Sequence, residues 1–185
     1  NGYRLAEISE RYGATVVAVE SSEMAILDGK NTFPSVNFVR GDASSIPLRD
    51  SYDLVIVNSI FHYIDRDNLM PTMAEIDGLV EDGGFLIIGD FFPANRTAVP
   101  YHHLPEGSVY IYKQDYSATF LASGLYHAVC LLTGQAGSRT LTAEASEDDR
   151  IGVWLLKKSL TGHYREGNPG AGASDGKSVA GQADG

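Results

Sequence analysis

Residues 14–20 read Ala-Thr-Val-Val-Ala-Val-Glu, an apolar run rich in β-branched side chains that closes on a carboxylate. Such a run, without the alternation of a one-sided strand, is the pattern of a strand buried on both faces, as in a parallel sheet covered by helices. Ligands of open α/β sheets bind along the carboxyl edge, where an acid can accept hydrogen bonds from both hydroxyls of a ribose. Glu20 is therefore the first candidate binding residue. The same acid can instead open the next helix, because Ser21, Ser22 and Glu23 follow it with capping hydroxyls and dipole-favoured charge.

Upstream, residues 3–12 put Leu5, Ile8 and Tyr12 on one helical face and Glu7, Glu10 and Arg11 on the other, with Gly13 as the stop. A helix leading into a buried parallel strand is normally the crossover from an earlier strand. The expectation is that the chain starts in the turn after that strand, leaving the sheet without its middle member. Downstream, a helix over residues 21–30, a Phe33-Pro34 break and a strand over residues 35–40 lead to Gly41-Asp42. One αβ unit separates Glu20 from Asp42, so both acids belong to one sheet edge, on strands ~4.8 Å apart.

The strongest strand pattern is residues 52–58, Tyr-Asp-Leu-Val-Ile-Val-Asn, and Ser59, Ile60, Phe61, His62 and Tyr63 follow it. A helix from about Asp67, capped by Asp67 or Asn68 and with Pro71 in its first turn, carries Met70, Met73, Ile76 and Val80 as a buried stripe. Gly83-Gly84 then turns the chain into a strand over residues 85–89 that ends at Asp90. Residues 91–114 have no sustained period, are rich in aromatics, and hold Pro93, Pro100, Pro105 and the pair His102-His103, which predicts a lid over the carboxyl edge. A short helix over residues 115–123 stops at Gly124. Strands over residues 126–133 and 150–157, joined by a polar acidic segment, read as an antiparallel pair. Residues 159–185 are mostly Gly, Ala, Ser and Asp, which predicts a disordered tail behind one domain of residues 1–158.

Charge and cysteine content narrow the function. The 24 acidic residues outnumber the 14 basic ones, and a formal charge of -10 with no basic cluster argues against a nucleic-acid partner. Cys130 is the single cysteine, flanked by Val129 and Leu131, which predicts an inert buried thiol and no intrachain disulfide. No Cys/His spacing suits a metal. No apolar run approaches the ~20 residues of a membrane span, and no signal-peptide pattern opens the chain, so the expected setting is the cytoplasm.

Strands ending on Glu20, Asp42, Asn58 and Asp90, closed by an antiparallel pair, resemble the class I S-adenosylmethionine-dependent methyltransferases over residues 1–158. The resemblance implies a Rossmann-like, doubly wound α/β fold with a mostly parallel sheet, S-adenosyl-L-methionine as cofactor, and methyl transfer to a small-molecule acceptor. By the same resemblance Asn1, Gly2 and Tyr3 end the glycine-rich turn that cradles the methionine part of the cofactor. Glu20 binds the ribose, Asp42 and Ala43 hold the adenine, and Asn58, Ser59 and Ile60 line the methyl donor. Residues 60–63, Ile-Phe-His-Tyr, are similar to a stretch common in small-molecule members.

Methyl transfer from a sulfonium is an in-line displacement with a good leaving group, so positioning supplies much of the acceleration. An oxygen or nitrogen acceptor still gives up a proton. His62 is the candidate base, because an imidazole titrates near neutrality and this one lies just past a strand's binding edge; fixing the loop by hydrogen bonding is the competing role. Asp90 can orient substrate, act as base or simply form the turn. In the lid, His102, His103, Arg96 and Lys113 are candidate substrate contacts. Two other classes stay open: a nicotinamide-dependent oxidoreductase, which accounts for Glu20 but not Asp42 or the terminal pair, and a non-catalytic binding module with a decayed nucleotide site.

Overall fold

The structure, a computed structural model, describes residues 2–101, 103, 109–138, 141–142 and 145–162. Helix α1 (Tyr3–Tyr12) opens at Gly2 and closes at Gly13, both left-handed, with φ of 73° and 67°. Strand β1 (Val17–Glu20), helix α2 (Glu23–Thr32) and strand β2 (Asn37–Arg40) follow, and the Ser22 hydroxyl caps α2 by accepting from the Ala25 N–H at 3.2 Å. Strand β3 (Tyr52–Asn58) runs into a 3₁₀ turn, Phe61–Tyr63, then helix α3 (Arg66–Leu79) and strand β4 (Val80–Phe91). The chain continues through β5 (Thr97–Pro100), β6 (Tyr110–Lys113), helix α4 (Ser117–Ala122), β7 (Tyr126–Gln135) and β8 (Arg150–Lys158).

These strands make three sheets. β1 and β2 pair in parallel, Glu20 opposite Arg40; β5 and β6 form an antiparallel ribbon; and the largest sheet has the order β3-β4-β8-β7. β3 and β4 are parallel, and β8 runs antiparallel to both its neighbours, as the terminal pair predicts. Among the described residues no strand pairs with the second edge of β1 or of β3.

Each of the two parallel units has its own core. Ala6, Val16, Ile26, Val36 and Phe38 are buried between α1, α2 and the small sheet. In the large sheet the pleat sends Val57, Leu86, Ile88 and Leu156 toward α3 and α4, where they meet Met73, Ile76 and Phe120. The connector at residues 43–50 joins the units by burying Ile46 in the larger core, against which Leu48 and Val19 of β1 also pack.

Several expectations change. The strands are not buried on both faces: all of β1 is half-buried, and Leu54 and Leu132, on the face of the large sheet away from α3, are 40% and 48% exposed. Apolar runs alone do not tell which face a helix covers. α3 starts at Arg66 after Asp65, which places Pro71 in its second turn. Its buried stripe is Thr72, Met73, Ile76 and Leu79, leaving Met70 60% exposed. Cys130 is exposed rather than buried, because the irregularity between Ala128 and Cys130 sets it opposite Leu155 on the open face. The predicted lid loop contains the β5-β6 ribbon, whose strands of four residues are too short to show a period.

A buried cation anchors α3. The Lys158 ammonium donates to the Asp77 and Val80 carbonyls at 2.7 and 3.1 Å and lies 2.9 Å from the Asp77 carboxylate. α3 has no basic residue in its last turn, so a strand from the other end of the chain supplies the charge that its carbonyl end favours.

Candidate active site

The carboxyl ends of β3 and β4 are built for close approach. A Cβ on Gly89 would stand 2.6 Å from the Asn58 Oδ1, so only glycine there lets the Asn58 carboxamide lie across the strand end. Ser59 donates its N–H to the Gly89 carbonyl at 2.7 Å and is left-handed, with φ of 57°. A non-glycine residue in that region stores backbone strain, which concentrates at functional sites. Ile60, 39% exposed, follows it.

The next residues fold back because Phe61 is an anchor. Its ring is wholly buried and stacks on Tyr116 at 5.1 Å between centroids. Arg66 donates to the Phe61 and Ile64 carbonyls and lays its guanidinium 4.0 Å above the Tyr112 ring, fastening the turn to the β5-β6 ribbon. His62 is thereby pressed against the end of β4. Its Nδ1 lies 2.7 Å from the Asp90 Oδ1, and the two side chains are only 6% and 3% exposed. A carboxylate can only accept, so Nδ1 carries the proton and Nε2 is the nitrogen left with a lone pair. Asp90 also accepts from the His62 and Phe91 N–H groups at 3.4 and 2.7 Å.

A cavity of about 310 Å³ opens here. Asn58, Ser59, His62 and Asp90, all expected from the sequence, line it together with Tyr63 and Phe91. Its far side comes from the antiparallel pair: Ala136 and Gly137 beyond β7, and Ile151, Gly152 and Val153 of β8. Sequence reasoning missed that side, although Gly152 inside a strand is a recognised mark of close approach.

The remaining candidates sit on the small sheet. The Glu20 carbonyl accepts from the Gly41 N–H at 3.1 Å, which brings the ends of β1 and β2 side by side. One Glu20 carboxylate oxygen accepts from the Ser22 N–H at 2.9 Å, so the helix-starting role is real. Asp42 is exposed and accepts from the Ser44 hydroxyl and N–H at 2.6 and 2.8 Å, bonds that hold its carboxyl below the ordinary value. Half-buried Ala43 follows it. Gly2 starts α1 with no side-chain cap and no acid in the first turn, leaving backbone N–H groups at a positive helix end. Tyr3 turns its ring toward Phe33, 6.5 Å away, and is 58% exposed.

Asn1 and His102 lie outside the described residues. His103 is exposed beside Tyr101, with ring centroids 5.2 Å apart. Lys113 pairs with Asp149 at 2.7 Å and rests 4.6 Å from the Phe91 ring centre, and Arg96 is exposed. Among the described residues no group of three His, Cys, Asp or Glu side chains could hold a metal, and no helix is long and apolar enough to cross a membrane.

Residues 1–88 match the family model of the methyltransferase domain. Most of the chain also superposes on solved structures of one fold. Residues 1–88, a little under half of the chain, are similar to that domain, and the fold is the one seen in solved methyltransferase structures. An uncharacterised methyltransferase from Alkaliphilus oremlandii (strain OhILAs) is 24% identical over 81 residues, 44% of this chain and 38% of that protein. The crystal structure of a S-adenosylmethionine-dependent methyltransferase from Methanosarcina mazei aligns with a TM-score of 0.65 at 14% identity, covering 86% of this chain and 87% of that one. The Burkholderia thailandensis 1,6-didemethyltoxoflavin-N1-methyltransferase, solved with 1,6-didemethyltoxoflavin and S-adenosylhomocysteine, gives 0.61 at 16% identity over 84% and 66% of the two chains. The chain spans less than two fifths of the length of the curated relatives it matches.

Solved structures of this fold hold S-adenosylhomocysteine, which makes S-adenosylmethionine the cofactor against which the residues here are tested. The residues present fit it. The uncapped start of α1 at Gly2 suits a carboxylate, and Glu20 at the end of β1 suits paired hydroxyls, the second carboxylate oxygen being the one not bonded to Ser22.

Proposed function

We propose that this domain catalyses methyl transfer from S-adenosylmethionine to a small-molecule acceptor, with His62 as the base and Asp90 as the residue that orients it. The observation that carries the reading is the buried His62–Asp90 pair at the wall of the cavity. Gly2 and Tyr3, through backbone N–H groups, with Asn1 before them, would hold the amino-acid part of the cofactor. Glu20 would take the ribose, Asp42 and Ala43 the adenine, and Asn58, Ser59 and Ile60 the reacting end. When bound, the cofactor supplies an electrophilic methyl group on a sulfonium.

The protein's own task is then to seat the acceptor and to receive its proton. Asp90 fixes the imidazole tautomer and keeps Nε2 as the basic nitrogen, and it stabilises the imidazolium that forms when that nitrogen takes a proton. Tyr63 and Phe91 pack against the ring, with centroids 4.0 and 5.0 Å from it, so the base keeps one orientation. The net charge of -10 supports a small molecule over a nucleic acid as acceptor. The single cysteine, without a partner for an intrachain disulfide, supports a cytoplasmic setting.

Titration calorimetry with S-adenosylhomocysteine, and with NADH as control, tests the reading. Binding of S-adenosylhomocysteine alone is expected. Binding of NADH alone would transfer the site to an oxidoreductase, and binding of neither would favour a non-catalytic module.

A further inference from the structure

We infer that the acceptor is a planar aromatic ring bearing a hydroxyl, seated in the cavity that Tyr63 and Phe91 help to line, with that hydroxyl at His62 Nε2; this rests on the methyl-transfer reading. Three features of the cavity carry it. The first is its shape. Gly89, Gly152, Gly137 and Ala136 contribute almost no side chain, so strand ends and a turn present flat backbone to the interior. A Cβ on Gly152 would stand 3.0 Å from Phe92 and 3.2 Å from Leu131, and one on Gly89 would collide with Asn58, so this flatness is set by packing on both strands. A volume of about 310 Å³ accommodates one or two fused rings and little more.

The second feature is aromatic lining. Tyr63 and Phe91 pack against the imidazole, and Tyr101 meets Tyr63 edge-on at 5.7 Å. Aromatic pairs in offset or edge-to-face geometry gain energy beyond the area they bury, and a saturated ligand of the same size forgoes it.

The third is charge. His62 and Asp90 are the titratable groups of histidine, acid or base type that line the cavity among the described residues. The nearby cations are engaged: Lys113 with Asp149 at 2.7 Å, and Arg150 with the Phe92 carbonyl at 2.8 Å. A carboxylate or phosphate on the acceptor would meet Asp90 without a counter-charge. A neutral amine already has its lone pair and needs no base before attack, whereas a hydroxyl does. An aromatic hydroxyl, near pKa ~10, is within reach of an imidazole, whereas an alkyl hydroxyl resembles water at roughly 15.7. In the step, the hydroxyl oxygen forms the bond to the methyl carbon, its proton passes to His62 Nε2, and the electron pair of the broken carbon–sulfur bond stays on sulfur.

The test is calorimetric binding of 2-naphthol, decahydro-2-naphthol and 2-naphthoate to the full chain, with and without S-adenosylhomocysteine. The expected result is 2-naphthol binding at least 10-fold tighter than either competitor, a preference lost in Tyr63→Leu and kept in Tyr63→Phe. Tyr63 is half exposed, and matched thermal melts of both variants with the parent keep the comparison clean. Equal affinity for the saturated alcohol, or tighter binding of the carboxylate, overturns the inference while S-adenosylhomocysteine binding leaves methyl transfer standing. A naphthol preference without S-adenosylhomocysteine binding overturns the methyl-transfer reading, and with it the ring's role as acceptor.

Discussion

Removing the Glu20 carboxylate is expected to weaken S-adenosylhomocysteine binding by about 1–3 kcal/mol, the range for lost hydrogen bonds to a charged group. Glu20→Ala also removes the bond to the Ser22 N–H, but the Ser22 hydroxyl still caps α2, so the fold should persist. Unchanged affinity by calorimetry would leave Glu20 with its helix-starting role alone. For His62→Gln, kcat/KM should fall roughly 10²- to 10⁴-fold, the range for a general base, with S-adenosylhomocysteine affinity unaltered. Asp90→Asn should lower kcat/KM by roughly 10²-fold or more, because an amide no longer enforces the tautomer with Nδ1 protonated. Retained turnover in His62→Gln would remove the base. At this scale the sequence was informative about candidates and silent about roles: Asp42 proves to hold its own turn through Ser44, and Lys113 proves to be paired with Asp149.

Elements are also joined at Asp77 by polar contacts that no local pattern announces. The clamp of Lys158 on Asp77 and Val80 ties the end of α3 to β8, and the Tyr126 hydroxyl donates to the same Asp77 carboxylate at 2.8 Å. Lys158→Met should cost roughly 2–3 kcal/mol in urea unfolding, since it leaves Asp77 and the helix carbonyls without their cation. A loss under 0.5 kcal/mol, the usual scatter of surface changes, would show the clamp to be idle. Around the ribbon, burial pushes the Tyr116 phenol from 10.0 up to about 12, and burial raises Tyr126 as well. A folded-state pKa above the unfolded one means the fold favours the neutral phenol. Its stabilisation is complete below pH 10 and is lost as pH rises through about 12. Thermal midpoints should therefore hold up to pH 10 and drop above it, and Tyr116→Phe should lessen the drop. Most element positions were readable from period and turn residues, β3 to the residue. The β5-β6 ribbon was not, because its pairing depends on a partner strand rather than on a repeat within either segment.

Among the described residues the outer edges of β1 and β3 are unpaired, and the large sheet leaves Leu54, Val129 and Leu132 each 40% exposed or more. Unpaired edges next to apolar surface favour self-association. Light scattering at roughly 100 μM should give a mass above the 19.9 kDa of one chain, and Leu54→Lys should bring it down toward that value. A parent chain that stays at one-chain mass would refute this. The sequence by itself determined the alternation of helices and strands, the parallel character of the first pairs, the terminal antiparallel pair, and which polar residues stand at strand ends. Those properties are local, set by side-chain period, β-branching and turn chemistry. Only the tertiary structure decided that His62 and Asp90, 28 residues apart, meet at 2.7 Å, that the antiparallel pair walls the cavity, and that Leu54 and Leu132 stand exposed on one face of the large sheet. Register between strands and the choice of face arise from contacts between distant segments, and no single stretch of chain encodes them.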